Sequence, residues 1–321
     1  MMRFFSAICF LALTAGTTSQ AAAQAFPTRP IRLLVAYAPG GGTDILARTI
    51  AQAMAEDLGQ PVVVENKPGA NSQIATETVV KSPPDGYTLL MATSTHATNP
   101  SLNRKMSYDA VRDFAPVSLV ATAPMVIVVS PTVPASNLKE LIALAKQKPG
   151  TLNHATVTNS MPHLAGELFK KMAGIEFVAV GYPGGPAAYP DLISGRVQFM
   201  FDGLSSALPQ IQTGKLKGIA VTNAKRAAAA PDIPTIAESG LPGFDAESVY
   251  GVVAPAGTPP AVIARLNASI RKAVAQPAVQ ERLKGLAYTI AVDTPAEYGA
   301  FIKAETAKWG AIIRDAGIKP E

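Results

Sequence analysis

The chain has 321 residues, of which 48% are hydrophobic, 16% charged and 6% aromatic, with a formal net charge of +5. That composition is globular and excludes disordered and fibrous classes. Its basic residues are scattered, densest at Lys215/Lys217 and Lys225/Arg226, without the basic stripe and interleaved aromatics of a nucleic-acid binder. The single cysteine, Cys9, lies near the N-terminus.

Residues 1–25 read as a secretory signal peptide. Arg3 precedes an apolar run from Phe4 to Gly16, polar Thr17–Gln20 follow, and Ala23-Gln24-Ala25 supplies a small-x-small cleavage site near Ala25. The run is shorter than the roughly 20 residues a spanning helix needs. Cleavage removes Arg3 and no acidic residue, so +5 becomes +4. It also removes Cys9, which excludes disulfides, thiolate metal sites and cysteine nucleophiles from the mature chain. The expected location is the periplasm, and the remaining ~300 residues exceed one ordinary domain.

Strand and helix then alternate. Ile31–Ala38 is an apolar strand, and Gly40-Gly41-Gly42-Thr43-Asp44 opens a helix with Ile45, Leu46, Ile50, Ala53, Met54 and Leu58 on its apolar positions, stopped by Gly59. A strand at Val62–Val64, a helix at Ser72–Lys81, a turn at Pro83–Gly86 and a strand at Tyr87–Ala92 follow. This order predicts parallel strands joined by right-handed crossovers. After the apolar run Val117–Val129, a second unit begins. It comprises helix Leu138–Lys146, strand Leu152–Val157, helix His163–Met172 and strand Phe177–Val180. A short helix to Ile193, strand Val197–Phe201, helix Ser205–Thr213 and strand Gly218–Val221 complete it. Ala230–Pro242 reads as a connecting loop and Ser248–Ala254 as a strand. Thr258 and Pro259 are the N-cap and first residue of a helix to Ala275. Thr294-Pro295-Ala296-Glu297 is a capping box for a last helix reaching about Ala316.

The expected architecture is an α/β, two-lobed fold of the periplasmic-binding-protein type (type II-like), with the ligand cleft between lobes. Residues 26–122 with 224–321 form one discontinuous lobe and 123–223 the other. Loops at the carboxyl ends of both sheets line the cleft. The strongest local signal is Pro39-Gly40-Gly41-Gly42-Thr43-Asp44. A glycine-rich turn at a helix start offers backbone N–H groups and the positive end of the helix dipole to an anion. The same glycines also serve a tight turn. A dinucleotide site, with Glu65 ending the second strand, is the rival reading; its third glycine falls on Ile45. Ser94-Thr95-His96 is expected as a cleft-facing loop after the third strand, and Thr158-Asn159-Ser160 as its counterpart in the other lobe. Both suit a neutral grip on oxygen atoms, and the same residue types cap helices and turns. His154 reads as structural; His163 reads equally as a cap or a ligand contact. No nucleophile elbow, P-loop or zinc-helix motif is present, so no enzyme, metal or cofactor is expected.

These residues together are similar to a known family. Ala38–Asp44, Gly59–Ala70, Pro84–Leu90, Asp113–Val117, His163-Leu164-Ala165-Gly166-Glu167-Leu168-Phe169, Phe201-Asp202, Leu208-Pro209 and Pro255–Pro259 resemble the Bug-type substrate-binding receptors of tripartite tricarboxylate transporters, over essentially the whole chain. The resemblance implies a periplasmic receptor for small organic acids, working with one large and one small integral membrane protein. It places a ligand carboxylate between Gly40–Asp44 and Thr158–Ser160, with Asp202 and Tyr182 as further lining candidates. A monomer is expected, and no nucleic-acid partner. A sensor receptor of the same fold is the nearest alternative, and an exported hydrolase a remote one.

Two departures bear on the ligand. Met161-Pro162 stiffens a loop that is usually longer and richer in glycine and serine. Gly181-Tyr182-Pro183-Gly184-Gly185 stands where relatives commonly carry a lysine at the position of Pro183. Loss of that cation favours a mono- or dicarboxylate over a tricarboxylate. Pro183→Lys is therefore expected to raise affinity for tricarboxylates relative to monocarboxylates, and an unchanged ratio in titrations of both would remove the basis of this reading.

Overall fold

The computed structural model describes residues 26–182 and 184–320; the signal-peptide reading and Pro183 lie outside them. Among the described residues no helix is long and apolar enough to cross a membrane.

Strand β1 (Ile31–Val35) pairs in parallel with β2 (Val62–Asn66) on one side and β3 (Thr88–Thr93) on the other. Helices α1 (Gly42–Leu58) and α2 (Gln73–Val80) make the crossovers. A turn of 3-10 helix at Ala70–Ser72 precedes α2. Leu33 and Val35 pack into one core, under α1, while Leu34 between them packs into the core on the opposite face. Burial of both faces is why the strand reads as an unbroken apolar run rather than an alternating one.

The stretch after β3 departs from expectation. Ser94–Leu102 is a helix, α3, not a loop. Strand β4 (Phe114–Val129) then serves both lobes. From Phe114 to Pro124 it runs antiparallel to β9 (Glu247–Pro255), which itself pairs with β3. From Met125 to Val129 it runs between β7 (Phe199–Gly203) and β8 (Lys217–Val221). Beyond β7 lie β5 (Asn153–Thr156) and the edge strand β6 (Val178–Gly181), both parallel pairings. The second lobe's helices are α4 (Leu138–Gln147), α5 (Met161–Ala173), α6 (Gly185–Ser194) and α7 (Leu204–Gln212). In β4, Ile127 and Val129 face one core and Val126 and Val128 the other.

Buried Thr222 joins the chain passages between lobes. Its N–H donates to the Met125 carbonyl at 2.9 Å, its hydroxyl accepts from Met125 N–H at 3.0 Å, and its carbonyl accepts from Ala246 N–H at 3.1 Å. The chain from 224 was expected to rejoin the first lobe; instead Ile236, Phe244 and Ala246 pack into the second core. A parallel bridge from Val221 to Thr235 holds that segment beside β8.

The C-terminal region is α8 (Pro260–Ala275), α9 (Pro277–Gly285), the short strand β10 (Thr289–Ile290) on β4, and α10 (Pro295–Asp315). The capping box is present: Thr294 Oγ1 accepts from Glu297 N–H, and Glu297 Oε2 accepts from Thr294 N–H. Helix α8 starts one residue later than expected. Pro260 occupies its first turn, and Thr258 Oγ1 donates back to the Pro255 carbonyl at 2.7 Å instead of capping. Helix α10 spans the lobes, with Tyr298 and Ile302 in a first-lobe core and Trp309 and Ile313 in the second.

Behind α5 the second core encloses His154, fully buried among Phe177, Phe199 and Phe201, with neither ring nitrogen hydrogen-bonded. Gly166 of α5 lies against the ring; a Cβ there would stand 2.5 Å from Cε1. Burial, with a smaller contribution from His163, lowers the His154 pKa from 6.5 to about 3. The folded state therefore disfavours the protonated ring. Its contribution is whole above pH 6.5 and is lost as pH falls toward 3, at up to about 1.4 kcal/mol per pH unit. Stability of the wild type relative to His154→Leu, from urea titrations, is expected to decline across that window; a difference independent of pH would show that the ring does not titrate in the unfolded chain alone.

Candidate functional site

A cavity of ≈ 260 Å³ lies between the lobes. Its first-lobe wall holds Tyr37, Thr43, Asn71 and the β3–α3 junction Thr93-Ser94-Thr95. The second-lobe wall is the β5–α5 loop, with Val157, Thr158, Ser160, Met161 and Pro162, and β9 adds Ser248, Val249 and Tyr250. None of these side chains is charged.

Three helices start at this cavity: α1, α3 and α5 contribute Thr43, Ser94 with Thr95, and Met161 with Pro162 respectively. None carries a side-chain N-cap hydrogen bond. For α1 the N-cap is Gly41, which has no side chain to offer. For α3 and α5 the residues are good cappers whose oxygens are turned elsewhere. Thr93 Oγ1 lies 2.9 Å from both the Tyr37 hydroxyl and Thr95 Oγ1, and Ser160 Oγ donates to the Val157 carbonyl at 2.6 Å. The first-turn N–H groups of these helices, absent at Pro162, have no partners within a helix and receive no side-chain cap.

The glycine loop divides into three roles. Gly40 has φ +81°, a conformation that penalises any side chain, and its N–H donates to Asp44 Oδ2 at 2.9 Å. At Gly42 a Cβ would stand 2.7 Å from the Tyr288 hydroxyl. Gly41, with φ −75°, has no such demand; its nearest neighbour would be the Ala38 carbonyl at 3.6 Å. Ala38 to Gly42 are all exposed. Asp44, expected among the contacts, is instead the brace of this loop. It is 3% exposed and accepts from Gly40 N–H, Arg48 Nε at 3.0 Å and Asn66 Nδ2 at 2.9 Å. Burial acts to raise its pKa, and those hydrogen bonds outweigh it and hold the carboxyl below the usual range.

Of the expected residues, Thr43, Ser94, Thr95, Thr158 and Ser160 line the cavity; Pro39, Gly40, Gly41, Gly42 and Asn159 do not. His96 is turned into the first lobe: its Nε2 lies 2.7 Å from the Ala110 carbonyl, its ring meets Phe114 edge-on, and burial lowers its pKa to about 4. The reason is that Ser94-Thr95-His96 is the first turn of a helix, which points successive side chains about 100° apart instead of presenting all three. His163 resolves as a brace: its Nδ1 accepts from Asn159 N–H at 3.3 Å, with Asn159 at φ +59°. Tyr182 donates to Asp191 Oδ2 at 2.8 Å and lies off the cavity. Asp202 is buried against the start of α6. Burial raises its pKa, opposed by hydrogen bonds from Tyr189, Ser206 and Gly203 N–H.

Sequence reading missed Tyr37, Asn71, Thr93, Ser248, Val249 and Tyr250. Tyr37 joins Thr93 and Thr95, and Ser72 Oγ lies 2.8 Å from Thr95 Oγ1. Partners so far apart in sequence leave no local signal. Only the position of Tyr37 at the carboxyl end of β1, before the glycine loop, marks it.

Two α/β lobes joined by crossing strands, with helix starts converging on the cleft between them, define the periplasmic-binding-protein architecture. Residues 46–318 match the family described as tripartite tricarboxylate transporter family receptor. The chain belongs to that family, whose receptors are periplasmic. It is 36% identical to Protein BugT of Bordetella pertussis, across 99% of each chain. R. palustris Rpa4515 with adipate is similar in structure, with a TM-score of 0.82 and 35% identity over 92% of this chain and 100% of that one. MatC from Rhodopseudomonas palustris with bound malate has a TM-score of 0.77 and 31% identity, over 90% and 100% respectively.

The glycine loop generates a paired expectation. Gly40→Ala should destabilise by about 1–2 kcal/mol through its left-handed backbone. Gly41→Ala should stay within about 0.5 kcal/mol of wild type. Urea titration of both variants checks this, and equal losses would contradict the assigned roles.

Proposed function

We propose that the chain, after signal cleavage near Ala25, is a monomeric periplasmic receptor. It binds a small organic acid in the interlobe cavity and delivers it to a transporter of one large and one small integral membrane subunit. The observation that carries the ligand class is the convergence of three uncapped helix starts on a cavity whose lining has no charged side chain. Such a site attracts an anion through N–H groups and dipoles. The hydroxyls of Thr43, Thr95, Thr158 and Ser160 supply further donors. Asp44, His163 and Asp202 hold the surrounding loops instead of touching the ligand.

The relatives support the same class, since one is described with adipate and another with malate. A mono- or dicarboxylate fits this lining better than a tricarboxylate, because the cavity wall offers no cation to a third charge. The apolar parts of Val157, Met161, Pro162 and Val249 suit the carbon body of such an acid. The lobe extents we propose, 26–122 with 224–321 and 123–223, put the cavity at their junction, although Ile236, Phe244 and Ala246, before β9, pack on the second lobe's core.

Thermal shift of residues 26–321 against organic acids, their amides and uncharged controls tests the reading. A ligand at a hundred times its Kd stabilises by about 2.7 kcal/mol, roughly 4 °C in Tm for a chain of this size. One or a few mono- or dicarboxylates are expected to produce that shift while their amides do not. A panel in which no acid shifts Tm, after unfolding and refolding to strip co-purified ligand, would remove the carboxylate assignment.

A further inference from the structure

The turn before α2 has a backbone that ordinary side chains avoid. Gly69, Ala70, Asn71 and Ser72 have φ of +127°, +44°, +48° and +76°. Only five non-glycine residues among those described have positive φ, and three of them are consecutive here. A turn that needed this shape alone would be served by glycine, which adopts it freely. Here two of the side chains reach the cavity region. Ser72 is buried, with Oγ 2.8 Å from Thr95 Oγ1 and 3.4 Å from the Tyr37 hydroxyl. Asn71 is exposed and lines the cavity itself.

Asn99 of α3 fixes how Asn71 is presented. Asn99 is 1% exposed, and its Nδ2 donates to the Asn71 carbonyl at 2.7 Å while its Oδ1 accepts from Asn71 Nδ2 at 2.9 Å. These two contacts determine both amide orientations. A backbone carbonyl only accepts, so Asn99 must face it with nitrogen; its oxygen then faces Asn71, which must answer with nitrogen. Asn71 is left with its Oδ1 and one N–H unpaired among the described residues, on the cavity wall.

We infer that Asn71 is a ligand-contacting, specificity-determining residue, held in position by Asn99, and that it selects acids carrying a second oxygen function beyond the anchored carboxylate. The inference rests on the acid-receptor reading above. A free amide N–H and C=O side by side match a hydroxyl, which both accepts and donates, or the oxygen of a second carboxyl group. They have nothing to offer a plain hydrocarbon tail, whose burial against them would leave both groups unsatisfied.

The test titrates wild type, Asn71→Gly and Asn71→Asp with L-malate, adipate, succinate and hexanoate by calorimetry, alongside Tm. Glycine keeps the turn and deletes the amide; aspartate tolerates the left-handed backbone and places a negative charge on the wall. Asn71→Gly is expected to hold Tm within a few degrees. It should weaken the best oxygen-bearing acid at least tenfold and narrow its preference over hexanoate. Asn71→Asp should weaken every acid. Wild-type affinities and an unchanged preference in Asn71→Gly would overturn the inference while leaving the receptor reading intact. Absence of acid binding by the wild type, if it extends across the wider acid panel, would instead bring down that reading and this inference together.

Discussion

Strand β4 is the constraint on which the arrangement of the cleft depends. It is one unbroken strand of 16 residues that belongs to two sheets, pairing with β9 up to Pro124 and with β7 and β8 from Met125. Register shifts between Pro116 and Ser118 and between Leu119 and Ala121 mark bulges in its first half, and bulges increase local twist and bend a strand. Because its residues Val126 to Val129 are fully buried with both faces covered, β4 cannot slip by one residue without moving every side chain to the wrong core. The two sheets are thereby held in one relation, and the helices that follow their strands start at a common place. Thr222 completes the junction, since its backbone and hydroxyl satisfy Met125 and Ala246 where the sheet ladders change partners.

On the proposed reading, the cleft built on that junction attracts negative charge without carrying positive charge on its lining. A lysine or arginine in a cavity of this kind would face a desolvation cost whenever no anion was present. Helix starts have no such cost in net charge, because each peptide dipole is neutral. Their individual contributions are small, about 0.3–1 kcal/mol at exposed termini and up to ~2 kcal/mol in partly buried ones, so several must converge to matter. Here α1, α3 and α5 do. The residues that could have capped α3 and α5 locally are engaged with Tyr37, Thr95 and the Val157 carbonyl. The missing cap is not peculiar to these three, since α6, α7, α8 and α9 lack one too and α4 and α10 carry one; what sets α1, α3 and α5 apart is that they start at one cavity.

What could be read from the sequence follows from where each interaction is encoded. Strands buried on both faces announce themselves as apolar runs, so β1, β3 and β4 were legible, as were α1 and α10 from their stop and cap residues. The helix α3 was not. Its buried residues include Ser94, Thr95, His96, Thr98 and Asn99, so it shows no apolar period, and Pro100 within it argues for a loop. It is a helix because tertiary partners satisfy those polar groups: Val249 N–H donates to Ser94 Oγ, and His96 meets the Ala110 carbonyl. The glycine loop was legible as a turn at a helix start, but the bracing of that loop by Asp44 was not, because its partners, Arg48 apart, lie outside the helix it belongs to. Asn66 is 22 residues away. Asn71 was hidden for the same reason: Asn99, whose side chain pairs with it, lies 28 residues further on.

The strained turn and the uncapped helices are two forms of one economy. Each non-glycine residue held at positive φ costs on the order of 1–3 kcal/mol, with asparagine at the low end, and each unsatisfied first-turn N–H forgoes a cap worth about 1 kcal/mol. Neither cost is repaid inside the cavity by the protein's own groups. Ser72 and Asn99 repay part of the first from behind, through the hydroxyl cluster with Thr95 and the reciprocal amide pair. That support comes from α3, the same helix whose open start forms the adjacent wall, so the orientation of Asn71 and the direction of the α3 dipole are set by one rigid element. A site arranged in this way is ordered before anything binds. Less of the interaction energy is then lost to fixing side chains on association, and on the proposed reading the polar groups left unpaired by the fold are the donors and acceptors by which one small acid is told from another.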